Sequence, residues 1–103
     1  MVEIEQLGNE RSLNYAVTLA LASAVISGKK HRKSFVIRNT STAGEVVSIA
    51  LANETIAVAG SGIVLNPNEY IADSNSGTYK CWSGDIHALA TAITATIAIT
   101  EVI

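Results

Sequence analysis

Aromatic residues are scarce: 103 residues hold five, Tyr15, Phe35, Tyr70, Tyr79 and Trp82. Nearly half of the chain is nonetheless apolar (49%), so a core must be assembled from Ile, Val, Leu and Ala. Charge is scarce as well. At 16% charged residues the chain lies below the roughly 25% usual in soluble domains, which predicts that partners cover part of its Ala- and Thr-rich surface. Cysteine occurs once, as Cys81, which excludes an internal disulfide and removes any need for an oxidising compartment. That cysteine and the two histidines, His31 and His87, lack the paired spacings of a zinc site. A net charge of −2 offers no electrostatic case for nucleic acid or for an anionic membrane.

Long apolar runs are also missing. Residues 16–26 are interrupted by Thr18 and Ser23 and fall short of the ~18–20 residues that cross a bilayer. The opening stretch, MVEIEQLGNER, carries acids where a secretion signal has basic residues ahead of an apolar run. The expectation is a soluble chain made in a cytoplasm.

What is present is β-type patterning in a chain of one-domain length. The stretch KSFVIRNTSTAGEVVSIAL reads as two strands, 34–38 and 45–52, joined as a hairpin by the small, turn-forming residues 39–44. Tyr15, Val17, Leu19 and Leu21 alternate with smaller residues and predict a strand from residue 15, although Ala and Leu there would also suit a helix. Short extended pieces follow at 23–27, 55–59, 62–65, 70–72, 78–83 and 86–90. The sharpest period closes the chain: Ile93, Ala95, Ile97 and Ile99 on a core face, Thr94, Thr96, Ala98 and Thr100 on the other. Pro67 and Asn68 fit the middle of a tight turn. Eight or nine such strands predict a single-domain, all-β sandwich or jelly roll over residues 15–103. Residues 1–14 lack the alternation and read either as a solvated arm or, as predicted here, as an amino-terminal arm that is mobile in the free chain and ordered in the assembly, against a neighbouring subunit or the shell.

Chemistry is thin. Asp85 and His87 stand two apart, a conceivable base with its orienting group, but no nucleophile is tied to them by spacing. Cys81 beside Trp82 reads as a small buried hydrophobe. Gly60-Ser61-Gly62 lacks the rest of a dinucleotide fingerprint and is turn punctuation. Lys29-Lys30-His31-Arg32-Lys33 is a charge run that reads as a solvated loop, with phosphate contact or docking on an acidic protein patch as sharper alternatives. Trp82, Tyr79 and Tyr70 could stack on a sugar, or simply pack. The chain is therefore expected not to be an enzyme, with no catalytic, cofactor-binding or metal residues and no cofactor.

Residues 32–41, RKSFVIRNTS, together with Val47-Ser48-Ile49-Ala50, the turn GIVLNPNE at 62–69 and WSGDIHAL at 82–89, resemble small virion proteins of tailed bacteriophages. Asn68 stands where that pattern usually has Gly. The resemblance implies a β-sandwich that serves as a capsid decoration (cement) protein, binding the major capsid protein on the virion exterior and reinforcing the shell, with neither nucleic acid nor membrane as partner. A homotrimer is expected by analogy with threefold shell positions. The alternatives are a carbohydrate-binding adhesion module and a tail or head-fibre accessory protein.

Overall fold

The computed structural model describes residues 11–19, 24–52, 57–58, 60–91 and 94–103. They form eight strands: β1 (Ser12–Thr18), β2 (Ala24–Ile26), β3 (Ser34–Asn39), β4 (Val47–Leu51), β5 (Ile63–Leu65), β6 (Tyr70–Ser74), β7 (Ile86–Ala90) and β8 (Thr96–Val102). Two four-stranded antiparallel sheets result, ordered β1-β8-β3-β6 and β2-β7-β4-β5. Of the connections, only β4–β5 stays within its sheet; the others pass from one sheet to the other. That alternation is the jelly-roll topology, and it bears out the all-β sandwich expected from sequence.

The register explains which residues become core. In the first sheet Ile37, Ile99 and Tyr15 lie side by side, as do Asn39 with Ile97 and Phe35 with Glu101. Phe35, Ile37, Ile97 and Ile99 face inward, against Ile26, Val47, Ile49, Leu65, Ile86, Ala88 and Ala90 of the other sheet. Phe35 is the one aromatic among the fully buried side chains. Branched aliphatics fill the rest, each stabilising by about 1.5–3 kcal/mol on burial. The predicted period of β8 holds through Ala95, Ile97 and Ile99, all buried. Ile93, Leu21, residues 1–10 of the arm and, of the piece expected at 55–59, residues 55, 56 and 59 lie outside the described residues, while residues 57 and 58 are not strand.

Three local expectations change. Segments 34–38 and 45–52 do become β3 and β4, but they are not hairpin partners, because β3 lies in one sheet and β4 in the other. The reason is Asn39. Its buried carboxamide donates from Nδ2 to the carbonyls of Glu45 (2.8 Å) and Leu65 (2.9 Å), and Oδ1 accepts from Ser41 N (3.0 Å). One side chain thus turns the polar link away from β3 and ties it to the end of β5. Residues 78–83 are loop, apart from a bridge between Ser76 and Tyr79. Asp73 Oδ2 takes Trp82 N (3.0 Å) and Asn75 Oδ1 takes Cys81 N (2.8 Å), so side chains satisfy amides that a ladder would have used. At the front, β1 begins at Ser12, so Ser12, Leu13 and Asn14 pair with β8 ahead of the boundary drawn at residue 15.

The Asn66–Glu69 reversal carries the expected tight turn. Glu69 N donates to Asn66 O (2.9 Å), and Asn68 adopts φ +70°. It swings the chain from β5 into the other sheet. Gly62, at φ +76°, sits where an added Cβ would lie 2.9 Å from the carbonyl oxygen of Ile49, so any side chain there collides with β4 backbone.

Replacing Asn39 with Leu strands two buried carbonyls, each costing about 1–3 kcal/mol. Urea unfolding should therefore show a loss of at least about 2 kcal/mol, whereas Asn68→Gly, which relaxes a left-handed residue, should be neutral or stabilising.

Candidate interaction surface

The inward face of β8 reads Ile97, Ile99, Glu101. Glu101 continues the core phase of its strand and is 0% exposed. A carboxylate in such a position is tolerable only when its lone pairs are filled. Tyr15 Oη donates to Oε1 (2.6 Å), Lys29 Nζ to Oε1 (2.9 Å) and Arg32 Nε to Oε2 (2.8 Å), with Arg32 Nη2 completing the ion pair 2.8 Å from the same oxygen. Arg32 is itself buried, and its remaining N–H groups reach main-chain carbonyls: Nη1 to Trp82 (3.1 Å) and Gly84 (3.0 Å), Nη2 to Ser27 (3.0 Å). Four of the five guanidinium N–H groups make hydrogen bonds, a planar fan that lysine could not supply. Its ring-facing side lies 5.7 Å from the centroid of Phe35.

This cluster gathers one end of the sandwich. It draws the loop after β2 and the loop before β7 onto the end of β8, and Gly28 allows the two loops to touch. An added Cβ at Gly28 would stand 2.9 Å from backbone atoms of Ser83 and Gly84. Gly28 N also donates to Asp85 Oδ1 (2.7 Å). Burial pushes the Glu101 carboxyl up, but the donors from Tyr15, Lys29 and Arg32 and the guanidinium charge outweigh it and hold the group below its ordinary value. The Tyr15 hydroxyl is pushed well up, first by burial and then by its bond to Glu101.

The charge run is thereby split. Lys29 and Arg32 turn inward to Glu101, while Lys30 and His31 are exposed. With Lys33 and Lys80 they line a cleft of about 340 Å³, completed by Arg32, Asn75, Cys81 and Ser83. No acidic side chain lines it. The sequence reading of a wholly solvated loop missed the inward half, because its partner stands 69 positions away in the chain.

Other candidate residues disperse. His87 lies on β7, buried, with neither ring nitrogen hydrogen-bonded. Asp85 accepts from Gly28 instead, so the structure does not join Asp85 to His87. Trp82 is half-buried against the core, with Nε1 donating to the Asp85 carbonyl (2.9 Å). Tyr79 is exposed and its hydroxyl is held by Asp73 (2.9 Å), while Tyr70 is exposed with Arg38 at 5.6 Å over its ring. Asp73 Oδ2 thus receives both the Tyr79 hydroxyl and the Trp82 main-chain N. Cys81 is buried, as read from sequence, and burial, with Asp73 nearby, raises its thiol above the ordinary value.

Removing the carboxylate should expose the weight of the cluster. Glu101→Ala leaves Arg32 buried without its counter-charge and should cost about 3–5 kcal/mol in chemical unfolding. The double variant Arg32→Met with Glu101→Leu should lose clearly less than the single one, because no lone charge then remains inside.

No known protein family matches the sequence, and no curated protein does. Solved structures do share its shape. A de novo designed double-stranded β-helix superposes with a TM-score of 0.48 at 13% identity, over 90% of this chain and 99% of that one. A subunit of Bacillus endospore appendages, described as a novel family of disulfide-linked pili, gives a TM-score of 0.50 at 14% identity, over 90% of this chain and 84% of that one. At 14% identity the likeness to the appendage is one of fold.

Proposed function

We propose that this chain is a structural subunit which joins a larger surface assembly through the edges of its sheets, in the form of a capsid decoration (cement) protein. The observation that supports this reading is the character of the edges. Soluble monomers guard edge strands with charge, proline or bulges. Here the outermost strands of the two sheets read SLNYAVT, AVI, IVL and YIADS, with one charged residue, Asp73, among them. Each also displays a large exposed apolar or aromatic side chain: Tyr15 on β1, Val25 on β2, Val64 on β5 and Tyr70 on β6. Between β5 and β6 the sandwich opens into a cleft of about 500 Å³ lined by Ile63, Val64, Leu65, Asn68, Glu69, Tyr70 and Ile71. Such edges offer main-chain hydrogen bonds together with apolar contact, the two ingredients of strand addition.

Many copies bound in this way stabilise a shell by mass action, since a partner that binds only the assembled state raises its stability. A trimer is the oligomer we favour, by analogy with threefold shell positions. The second reading is a filament subunit, favoured by the fold shared with the endospore appendage. Disulfide linkage is not its means, because Cys81 is the chain's lone cysteine and is buried.

Purified protein added to undecorated phage shells should bind and raise their disruption temperature, unaffected by reductant. Val25→Lys and Val64→Lys should abolish the effect while leaving the free domain within about 0.5 kcal/mol of the parent. Absence of binding, with ordered filaments of the protein alone under the electron microscope, would replace the capsid reading with the filament one.

A further inference from the structure

The basic cleft and the amino-terminal segment are complementary in charge. Residues 1–10 hold Glu3, Glu5 and Glu10 and no Lys or Arg, a charge of −3 in a chain whose net is −2. The rest of the molecule is therefore at +1. Its cationic residues crowd one end. The cleft there carries Lys30, His31 and Lys80 on exposed positions, with Lys33 and Arg32 behind them. Arg32 is neutralised by Glu101; Lys30 and Lys80 form no ion pair among the described residues. Two uncompensated ammonium groups in a concave site attract carboxylates far better than the same groups on a flat surface.

The fold also fixes where the acidic segment starts. Arg11 is locked to the other terminus, its N–H donating to Ile103 O (2.6 Å) and its carbonyl accepting from Ile103 N (2.8 Å). Lys33 N donates to Val102 O (2.7 Å), so the cleft opens at this same end. Strand β1 runs outward through that end. Glu5 stands six residues before Arg11, up to about 20 Å of chain, a length sufficient to reach another copy. Val2-Glu3-Ile4-Glu5 alternates, so an extended segment presents both carboxylates on one side and two apolar side chains on the other.

We propose that the cleft between residues 29–33 and 75–83 receives the Glu3–Glu5 stretch of a second copy of this chain. The carboxylates of Glu3 and Glu5 pair with Lys30 and Lys80, while Val2 and Ile4 lie along an uncharged edge. The contact is head-to-tail rather than self-complementary, so it builds chains or closed rings according to the angle between copies. This rests on the reading of the protein as an assembling subunit.

Charge reversal tests it with the full-length chain. The variants Lys30→Glu/Lys80→Glu and Glu3→Lys/Glu5→Lys change exposed or terminal positions. Circular dichroism should show both folded, with melting close to the parent. In sedimentation at low salt the parent should self-associate, and raised salt should weaken it. Each variant alone should associate at least about tenfold more weakly, since like charges now meet. Mixing the two variants should restore association, because each then supplies the charge the other lacks. Association of either variant at parental strength, or a mixture as weak as its components, overturns the proposal while leaving assembly through edges standing. A parent that stays monomeric at all concentrations overturns this docking and the self-assembly beneath it together.

Discussion

The carboxylate of Glu101 is the point on which the lower half of this molecule hangs. It occupies a core position on β8, yet it is fully charged in character, wrapped by a phenol, an ammonium and a guanidinium. Because Arg32 spends its other donors on three carbonyls from two loops, one buried ion orders strand end, β2–β3 loop and β6–β7 loop together. Buried ion pairs are poor sources of net stability when set against well-packed hydrophobes. What this one supplies is position. It fixes which cations of a five-residue basic run face inward and which face the cleft.

At the other end a neutral device does comparable work. Asn39 carries no charge, but its carboxamide links the β3–β4 connection to β5, so the two sheets are tied at both ends by a polar residue set into the core. Between these ties the sandwich is aliphatic and thin, with Phe35 as its one large inward ring. The edge strands carry a single charged residue, Asp73. A domain organised in this way puts its polar specificity inside and its apolar, strand-like surface outside, an inversion that suits a subunit meant to be covered.

Much of this was legible in the residues. The period of two in β8 was plain from Thr96 to Thr100, and Pro67-Asn68 marked its turn correctly. The same period also placed Glu101 on the core face; a charged residue in core phase is itself a signal of a buried partner, and carrying the alternation two residues further would have exposed it. Its partner could not be read, since Arg32 sits 69 residues away and pairing across a sandwich leaves no trace in local spacing. The β3–β4 link failed as a hairpin for a similar reason. Small polar residues fit a tight turn and a crossover equally well, and the choice was made by where the Asn39 side chain finds carbonyls. Residues 78–83 had strand-type composition, but Asp73 and Asn75 captured their amides.

The account stands most directly on Glu101 being ionised inside the protein. Its side-chain carboxyl carbon can be followed by NMR through an acid titration of the folded chain, with Glu101→Gln to assign the signal. A carboxyl held below its ordinary value of 4.5 stabilises the fold above that pH, and the contribution fades as acid protonates the group in the folded state. The predicted result is a midpoint below 4.5, with unfolding or loss of the Tyr15 and Arg32 contacts accompanying protonation. A midpoint at or above 4.5, with the fold intact through the transition, would show that the cluster does not favour the carboxylate over the acid and contradict the charge pairing around which this end of the molecule is arranged.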